Sequence, residues 1–362
     1  MSDVALQNIV KRFGNTTALN DVSFSFGHGE FFVLLGPTGA GKTTTLRVIA
    51  GLERQDSGSV QFDGIPVDQR IPAERDVAFV FQQYSLYPSM TVFDNLAFPL
   101  RSPLRRTPKT QVKQKVEATA EKLRISHLLE RKTANLSGGE MQRVAIGRAL
   151  VRDPRLFLMD EPLSNLDAKL REALRVELKH LQKTQGSTTL FVTHDQIEAL
   201  TMADRIGVLN QGQLLQVGTP EDIYDRPITS FVAQLVGAPK INLLEAARED
   251  GTLVIANSAV RFPFPPQARE GTAKPVLDLP SSFVLGIRPE DVQIRQDGDL
   301  TGEVALVEPL GVETIVHIRS GTQALLSVVP GMTDLHFGDE VRFSVVSERL
   351  HFFGLDGARI LR

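Results

Sequence analysis

The sequence predicts an α/β domain built on a largely parallel sheet, followed by a smaller all-β domain. The 362 residues exceed what one hydrophobic core usually covers, so two domains are expected. From about residue 3 to 235, short apolar runs alternate with helical periodicity, which is the pattern of βαβ units. Beyond about residue 237, β-rich segments are separated by turn dipeptides, which is typical of a small barrel or sandwich.

Four continuously apolar or β-branched runs predict the buried strands of the first domain. Strands of this kind are covered on both faces, as in a parallel sheet. The runs are residues 31–35, 77–81, 156–159 and 188–192. Residues 110–150 are instead polar, helix-prone and free of strand signals, so they predict a helical insertion.

The second domain is predicted to follow a linker at Gly237-Ala238-Pro239. Val341, Phe343 and Val345 alternate with polar residues, as expected for a half-buried strand. The turn dipeptides between its β-rich segments are Asp250-Gly251, Asp297-Gly298 and Gly338-Asp339. This region is therefore predicted to be a domain of short strands.

Composition excludes several classes of protein. The net charge of −3 gives no whole-chain electrostatic footprint for nucleic acid or an anionic membrane. The absence of cysteine excludes disulfides and thiolate metal sites, and it fits a reducing compartment. The first residues predict no secretory signal, and no window approaches the roughly 18 apolar residues that span a bilayer. A role at a membrane would require another chain to cross it.

Residues 36–43 fill the phosphate-binding pattern G-x-x-x-x-G-K-[ST] at every fixed position. They follow a predicted strand and precede a predicted helix from Thr44, which is the context that this motif requires. Glycines allow the backbone to wrap phosphates, Lys42 can reach the β- and γ-phosphates, and the Thr43 hydroxyl can ligate Mg²⁺. The residues assigned to the nucleotide here are Gly36, Pro37, Thr38, Gly39, Ala40, Gly41, Lys42, Thr43 and Thr44.

A second element of the same chemistry lies at the end of the run 156–159, where two carboxylates follow a buried strand. Asp160 can hold Mg²⁺ directly or through water. Glu161 can orient or deprotonate an attacking water. Because many strands end in acidic residues, this pair alone is weak evidence for a metal or catalytic site. It indicates one only together with the phosphate-binding loop.

A second anion site, without a lysine, is predicted at residues 136–140. Ser137, Gly138 and Gly139 precede a helical pattern, so a hydroxyl and backbone N–H groups can point at a phosphate. A simple N-cap role for Ser137 is the alternative, but it leaves the two glycines without a reason.

These motifs, taken in order along the chain, resemble those of the ATP-binding subunits of ABC transporters. The discriminating motif is Leu136-Ser137-Gly138-Gly139, which other classes with this phosphate-binding loop lack. No N-K-x-D string, as a GTPase would carry, occurs in the chain. The remaining matching stretches are residues 80–83, 159–162, 163–167 and 192–195.

The resemblance implies that two copies pack head to tail as a homodimer. The Ser137 loop of one copy then closes over the γ-phosphate of the ATP held by the other copy. Glu161 resembles the general base, His194 the histidine that contacts the γ-phosphate, and Gln82 the glutamine that touches Mg²⁺ and the attacking water. The other residues assigned to ATP by resemblance are Phe13 (adenine stacking, or alternatively a strand-end anchor), Ser137, Gly138, Gly139, Glu140 (commonly glutamine in the family) and Asp167.

The resemblance extends over essentially the whole chain and is strongest to ATPases of sugar and glycerol-phosphate importers. It implies an ABC-type nucleotide-binding domain at 1–236, with a helical subdomain at about 92–150, and an OB-like regulatory barrel at 237–362. Two transmembrane permease subunits, an extracytoplasmic solute-binding protein and a place on the cytoplasmic face of the membrane are implied as well. The transported carbohydrate or polyol is not indicated by these residues.

Three other functions fit the sequence less well. An oligonucleotide-binding barrel would need aromatic platforms and a basic groove, whereas no Tyr or Trp follows Tyr224 and the charge is mixed. A DNA-repair or translation ATPase of the same family usually carries two cassettes or a long coiled coil, and neither is visible. An exporter subunit is disfavoured by the importer-like second domain.

Overall fold

The computed structural model describes residues 3–103, 107–249, 252–256, 260–263 and 279–360. The chain divides into two compact units, Met1–Pro220 and Glu221–Arg362. This division falls earlier than the boundary predicted at Gly237, which stays a prediction. In the described ranges, no helix combines the length and the apolar character that crossing a bilayer requires.

The first unit contains two sheets. Its strands are β1 (Val4–Phe13), β2 (Thr16–Phe26), β3 (Phe31–Leu35), β4 (Ser57–Phe62), β5 (Ile65–Pro66), β6 (Val77–Val80), β7 (Leu156–Asp160), β8 (Thr189–Thr193), β9 (Arg205–Asn210) and β10 (Gln213–Gly218). Six of them form a sheet in the order β10-β9-β3-β8-β7-β6, parallel except for β10 against β9. The other four form an antiparallel sheet in the order β2-β1-β4-β5. The predicted parallel sheet is thus confirmed.

Helices cover the sheets and supply the predicted insertion. Those of the first unit are α1 (Lys42–Ala50), α2 (Val92–Ala97), α3 (Lys109–Lys122), α4 (Gly138–Leu150), α5 (Ala168–Gln185) and α6 (Gln196–Met202). Two further helices, α7 (Pro220–Asp225) and α8 (Ser230–Leu235), belong to the second unit. Short 3-10 helices occur at Pro72–Glu74, Phe98–Arg101, Ser126–Leu128 and Thr133–Asn135. The first helix begins at Lys42 rather than at the predicted Thr44, because Gly41 is its N-cap.

One hydrophobic cluster joins α1 to both sheets of the first unit. Val4, Leu6 and Val60 from the antiparallel sheet share it with Leu34, Leu158 and Leu190 from the parallel sheet. Each of these side chains is almost fully buried, and such burial stabilises by roughly 1.5–3 kcal/mol per residue. This core holds the carboxyl ends of β3, β7 and β8 in a fixed relation.

The second unit is all-β apart from α7, α8 and short 3-10 helices at Pro289–Asp291 and Ser347–Arg349, as far as it is described. Its strands are β11 (Asn242–Glu249), β12 (Thr252–Ile255), β13 (Arg261–Pro263), β14 (Ser282–Ile287), β15 (Val292–Ile294), β16 (Leu300–Pro309), β17 (Glu313–Ser320), β18 (Gln323–Pro330), β19 (Glu340–Val345) and β20 (His351–Phe353). They form two five-stranded antiparallel sheets, β13-β12-β11-β14-β20 and β15-β19-β16-β17-β18.

The two sheets of the second unit share one core. Leu285 from the first sheet and Phe343 from the second belong to the same cluster, and both are fully buried. The side chain of Asn242 in β11 also donates a hydrogen bond to the carbonyl of Leu326 in β18 at 3.0 Å. The predicted all-β domain is confirmed, while the predicted turn at Asp250-Gly251 lies outside the described residues.

A buried arginine ties the helical segment of the second unit to its barrel. Arg288 is 1% exposed, and its guanidinium donates to the backbone carbonyls of Ala233 and Tyr224 at 3.0 and 2.8 Å. It also donates to the carbonyl of Val236 and stacks 4.0 Å from the centre of the Tyr224 ring. A buried cation in this position stabilises only because carbonyl dipoles replace its hydration.

We expect the substitution Arg288→Met to lower the free energy of unfolding by about 3 kcal/mol, because it leaves three carbonyls without a donor. Urea unfolding of the whole chain, followed by hydrogen exchange at the amides of β14, measures the effect. The matched control is Arg295→Met, since the Arg295 side chain is exposed and, within the described residues, forms its ion pair with Asp297, two positions along the chain. That control should change stability by less than about 0.5 kcal/mol, and an equal loss in both variants would contradict the role of Arg288.

Candidate active site

The phosphate-binding loop leaves β3 at Gly36 and enters α1 at Lys42. A Cβ on Gly36 would lie 2.1 Å from the carbonyl oxygen of Leu209, and one on Gly41 would lie 2.5 Å from that of Ala18. Gly41 also has a φ of 104°, which L side chains rarely adopt. Both fixed glycines are therefore required by the packing of the loop against β9 and β2, quite apart from any phosphate.

The loop curls around its own lysine. The ammonium of Lys42 donates to the carbonyls of Gly36 and Pro37 at 3.0 Å each, and it lies 3.4 Å from Oε1 of Glu161. Its side chain is 4% exposed. The positive charge of Lys42 is thus held at the centre of the loop, beside the carboxylate of Glu161, which follows β7.

Thr43 and Asp160 bring two oxygen ligands together. The Thr43 hydroxyl donates to Oδ1 of Asp160 at 2.8 Å, and Asp160 is buried at the end of β7. Burial raises the pKa of the Asp160 carboxyl, the Thr43 hydrogen bond opposes that rise, and the charge of Glu161 adds to it. Hard oxygen donors of this kind fit Mg²⁺, which completes its shell with phosphate and water oxygens.

The three predicted catalytic side chains meet, because Gln82 and His194 both contact Glu161. Its Oε2 accepts a hydrogen bond from Nδ1 of His194 at 3.0 Å and another from the amide of Gln82 at 3.3 Å. Its Oε1 faces Lys42. Glu161 also has a φ of 43°, a strained conformation for a residue with a side chain. Gln82 therefore contacts Glu161 directly, and no contact joins it to the predicted metal ligands Thr43 or Asp160 in the described chain.

Three residues that sequence reasoning did not single out hold the loops around Glu161. The Ser164 hydroxyl donates to the Glu161 carbonyl at 2.9 Å, and the Asn165 amide donates to the Gln82 carbonyl at 2.9 Å. Arg171 in α5 donates to the carbonyl of Leu166 at 3.1 Å. The Asn165 contact fixes the loop after β7 against the loop after β6, and only the fold brings those two segments together. The other two contacts are local and lie within the segment after β7.

The buried carboxyl group of Glu198 fixes the segment that carries His194 through a hydrogen bond with Thr193. The Thr193 hydroxyl donates to Glu198 at 2.6 Å and accepts from the backbone N–H of Asp195 at 2.9 Å. Burial raises the pKa of the Glu198 carboxyl, and the Thr193 hydrogen bond opposes that rise. Asp195 in turn caps α6 and lies 3.5 Å from Arg171. The backbone on either side of His194 is thus fixed, while its own ring is exposed.

Ser137 forms a capping box at the start of α4. Its hydroxyl accepts from the N–H of Glu140 at 3.4 Å, and the Glu140 carboxylate accepts from the Ser137 N–H and hydroxyl at 2.8 Å each. These hydrogen bonds lower the pKa of the Glu140 carboxyl. In this structure Glu140, predicted as a nucleotide ligand, therefore contacts Ser137. The spacing Ser-x-x-Glu is a capping-box signal that was open to sequence reasoning.

The two glycines of this segment differ in their surroundings. A Cβ on Gly139 would lie 2.2 Å from Cδ2 of Leu170 in α5, so a side chain there would require the Leu170 side chain to move. A Cβ on Gly138 would meet only the hydroxyl of Tyr84 at 3.5 Å, an ordinary contact. Within the described chain, no hydrogen bond or ion pair joins residues 137–140 to residues 36–43. One copy of the chain does not bring its two predicted phosphate sites together by any such contact.

Phe13 and Asp167 are the remaining predicted nucleotide residues. Phe13 ends β1, its ring is 46% exposed, and the Lys11 ammonium lies 4.8 Å from the ring centre. Asp167 is the N-cap of α5, where its carboxylate accepts from the N–H of Leu170 at 3.0 Å. Exposure leaves Phe13 free to stack on a base, and both assignments stay predictions.

Comparisons with known proteins show what the chain is similar to. Residues 19–164 match the ABC transporter family, and residues 285–353 match the TOBE domain. The chain is 42% identical over 370 aligned residues to the sn-glycerol-3-phosphate import ATP-binding protein UgpC of Brucella abortus, with 99% of both chains covered. It is 45% identical to the trehalose/maltose import ATP-binding protein MalK of Thermococcus litoralis, with 98% of both covered.

Solved structures resemble the first unit. One is a nucleotide-free ATP-binding cassette from an ABC transporter, with a TM-score of 0.54 and 32% identity over 60% of this chain and 92% of that one. Another is a dimeric ATP-binding cassette in a post-hydrolysis state, bound to ADP and Pi. It also has a TM-score of 0.54 and 32% identity, over 60% of this chain and 98% of that one.

Proposed function

Because this chain belongs to the ABC transporter family and is an ATPase, we propose that it is the motor subunit of an importer for a carbohydrate, polyol or glycerol phosphate. The observation that carries the proposal is the convergence of Lys42, Gln82 and His194 on Glu161, beside the phosphate-binding loop. The relatives named for sugar and glycerol-phosphate import support the class of substrate.

The phosphate-binding loop is proposed to hold the triphosphate of ATP. Lys42 then exchanges its loop carbonyls for phosphate oxygens, and the backbone N–H groups at the start of α1 add further donors. Thr43 and Asp160 hold Mg²⁺, which offsets phosphate charge when it is bound. Phe13 is proposed to stack on the adenine.

Glu161 is proposed to orient the attacking water and to accept its proton. A carboxylate that already accepts from His194 and Gln82 is fixed in direction, so it needs little rearrangement in the transition state. When Lys42 turns to phosphate, Oε1 of Glu161 loses its ion pair and becomes the free acceptor. His194 and Gln82 then supply donors near the γ-phosphate.

The second phosphate site is proposed to act on the ATP of a partner copy. Ser137 and the N–H groups of Gly138 and Gly139 open α4, where the helix dipole favours an anion. In the described part of one chain, no hydrogen bond or ion pair joins these residues to residues 36–43. A similar solved cassette, bound to ADP and Pi, is dimeric. A homodimer would supply both halves of each site.

A groove in the first unit is proposed to receive the membrane subunits. It has a volume of about 430 Å³ and lies among residues of α1, β6, α4 and the segment 81–99. Three of its apolar side chains are exposed, namely Leu52 at 47%, Tyr87 at 38% and Phe98 at 45%. Arg148 links the groove to the segment that follows Gln82, since its guanidinium donates to the carbonyls of Tyr84 and Ser85.

Co-purification of the tagged chain from its native membranes tests the importer proposal. We expect two multi-span subunits to come with it, and the complex should hydrolyse ATP faster when a loaded solute-binding protein is added. Association with DNA or ribosomes in place of membrane subunits would favour the non-transport ATPase, and an exporter complex would contain no solute-binding protein.

The paired substitution Leu52→Ser and Phe98→Ser should abolish that co-purification, because it removes the exposed apolar contacts of the groove. ATP binding by the purified variant checks that the first unit is folded. The matched control is Val176→Ser, which changes an apolar residue on α5 that is 65% exposed and lies outside the groove. Retention of the membrane subunits by the paired variant would place the docking site elsewhere.

A further inference from the structure

The second unit contains a polar cavity that the motor function does not use. It has a volume of about 410 Å³ and is lined by residues of α7, β20 and the two 3-10 helices of this unit. Pockets for small molecules usually enclose about 300–1,000 Å³. The lining residues that matter for its chemistry are Asp225, Asp291, Arg349, His351 and Arg359.

Four buried polar atoms of residues that line this cavity have no hydrogen-bond partner in the described structure. They are Oδ2 of Asp291, Nδ1 of His351, Nε of Arg359 and Nε of Arg288. Asp291 is 2% exposed and His351 is 6% exposed. Since buried polar groups in proteins are nearly always paired, a cluster of four in one cavity indicates a missing partner.

Three arginines and three carboxylates (Asp225, Asp291 and Glu348) line the cavity, but among these arginines only Arg349 forms an ion pair within the described residues. Arg349 lies 3.2 Å from Oδ1 of Asp291 and 3.9 Å from Asp225, so those carboxylates share it. The guanidinium of Arg288 is engaged by backbone carbonyls. Arg359 has no carboxylate within 4 Å among the described residues, and the charge of Arg226 adds to burial in lowering its pKa. An anion beside Arg359 would relieve this repulsion.

The unpartnered atoms of Asp291 and His351 can both pair with hydroxyl groups. Asp291 has one oxygen on Arg349 and one oxygen unused. Burial, with the charges of Arg288, Arg359 and Arg349, lowers the pKa of His351 to about 4, so its ring is neutral at pH 7. A neutral imidazole nitrogen can accept from a hydroxyl or donate to one. Hydroxyl groups therefore satisfy both residues.

We propose that this cavity binds a small polyol that carries a phosphate or a carboxylate group, with the anion on Arg359 and hydroxyls on Asp291 and His351. Guanidinium recognises either anion through parallel N–H donors, so phosphate and carboxylate share the site. The inference concerns the second unit alone and does not depend on the importer function.

Titration calorimetry of the whole chain tests the proposal, with ADP and Mg²⁺ saturating the nucleotide site. The probes are glycerol 3-phosphate, glucose 6-phosphate and gluconate, compared with glucose and inorganic phosphate. At least one of the first three should bind at one site per chain. Glucose and inorganic phosphate should each bind at least about tenfold more weakly, because each lacks one of the two required groups.

Arg359→Gln should weaken the binding of that probe by about tenfold or more, since it removes the charged donor. Asp291→Asn, which keeps the shape of the side chain, should weaken it as well, and circular dichroism checks the folding of both. The control Arg295→Gln removes a guanidinium from the exposed surface of the same unit and should leave the binding unchanged. Absence of binding by all three probes would overturn the proposal. Binding that survives both cavity variants, or that inorganic phosphate equals, would overturn it too.

Discussion

Glu161→Gln is expected to lower ATP turnover by at least about two orders of magnitude while ATP binding is retained. The amide keeps the size of the side chain and can still contact Gln82 and His194, but it cannot accept a proton from water. The unhydrolysed nucleotide should then hold two copies together. Steady-state phosphate release measures the turnover, and size-exclusion chromatography with light scattering in ATP and Mg²⁺ measures the dimer.

The matched control for this experiment is Glu172→Gln, which changes an exposed glutamate on α5, away from the phosphate-binding loop. Its turnover should equal that of the unchanged chain. If Glu161→Gln also hydrolyses ATP at the normal rate, Glu161 is not the base and the strained backbone at that position needs another reason.

Ser137→Arg is expected to reduce turnover by about two orders of magnitude or more, although residue 137 has no hydrogen bond or ion pair to the phosphate-binding loop in the described chain. The long side chain would occupy the space in front of the Gly138 and Gly139 amides. ATP binding to a single copy should persist, because Lys42 and Thr43 are untouched, whereas the ATP-dependent dimer should be lost. Fluorescent nucleotide binding and light scattering separate the two effects.

Ser137 also caps α4, so a second variant separates capping from phosphate contact. Ser137→Ala removes the cap, which costs about 1 kcal/mol of stability, but leaves the glycine amides accessible. It should therefore retain far more activity than Ser137→Arg. Equal activity losses in the two variants would mean that Ser137 acts only by capping its helix.

A mixing experiment tests whether the two halves of each site come from different copies. Lys42→Ala and Ser137→Arg are each inactive as homodimers, but their mixed dimer contains one site with both halves intact. Turnover of the mixture should exceed that of either parent by at least about tenfold. Full turnover by a single copy at high dilution, or no recovery on mixing, would contradict the two-copy site.

The sequence predicted the parts of the site whose chemistry depends on local spacing. The phosphate-binding loop is predicted from its motif, and the strand 31–35 and the acidic strand end at Asp160-Glu161 from apolar runs and the residues that follow them. These features depend on neighbours in the chain, because a buried strand and the turn that follows it are encoded together.

Contacts across the fold were beyond sequence reasoning. The proximity of Arg171 to Asp195 joins residues 24 positions apart, and the contact of Asn165 with the Gln82 carbonyl spans 83 positions. Gly139 is predicted only as a phosphate ligand, yet the structure also packs the Leu170 side chain against it. The contacts of Arg288 with the carbonyls of Tyr224, Ala233 and Val236, and the cavity that Arg288 lines, likewise depend on segments far apart in the chain.

The packing of Leu170 on Gly139 couples α4 to the start of α5. Leu170 packs on Gly139 through its side chain, while its backbone N–H is held by Asp167. In the proposed two-copy site, we expect a tilt of α4 toward the neighbour's phosphate to displace Asp167 as well, since close-packed interiors transmit displacement. Occupation of one nucleotide site would then affect the other through side-chain packing, without a change in charge.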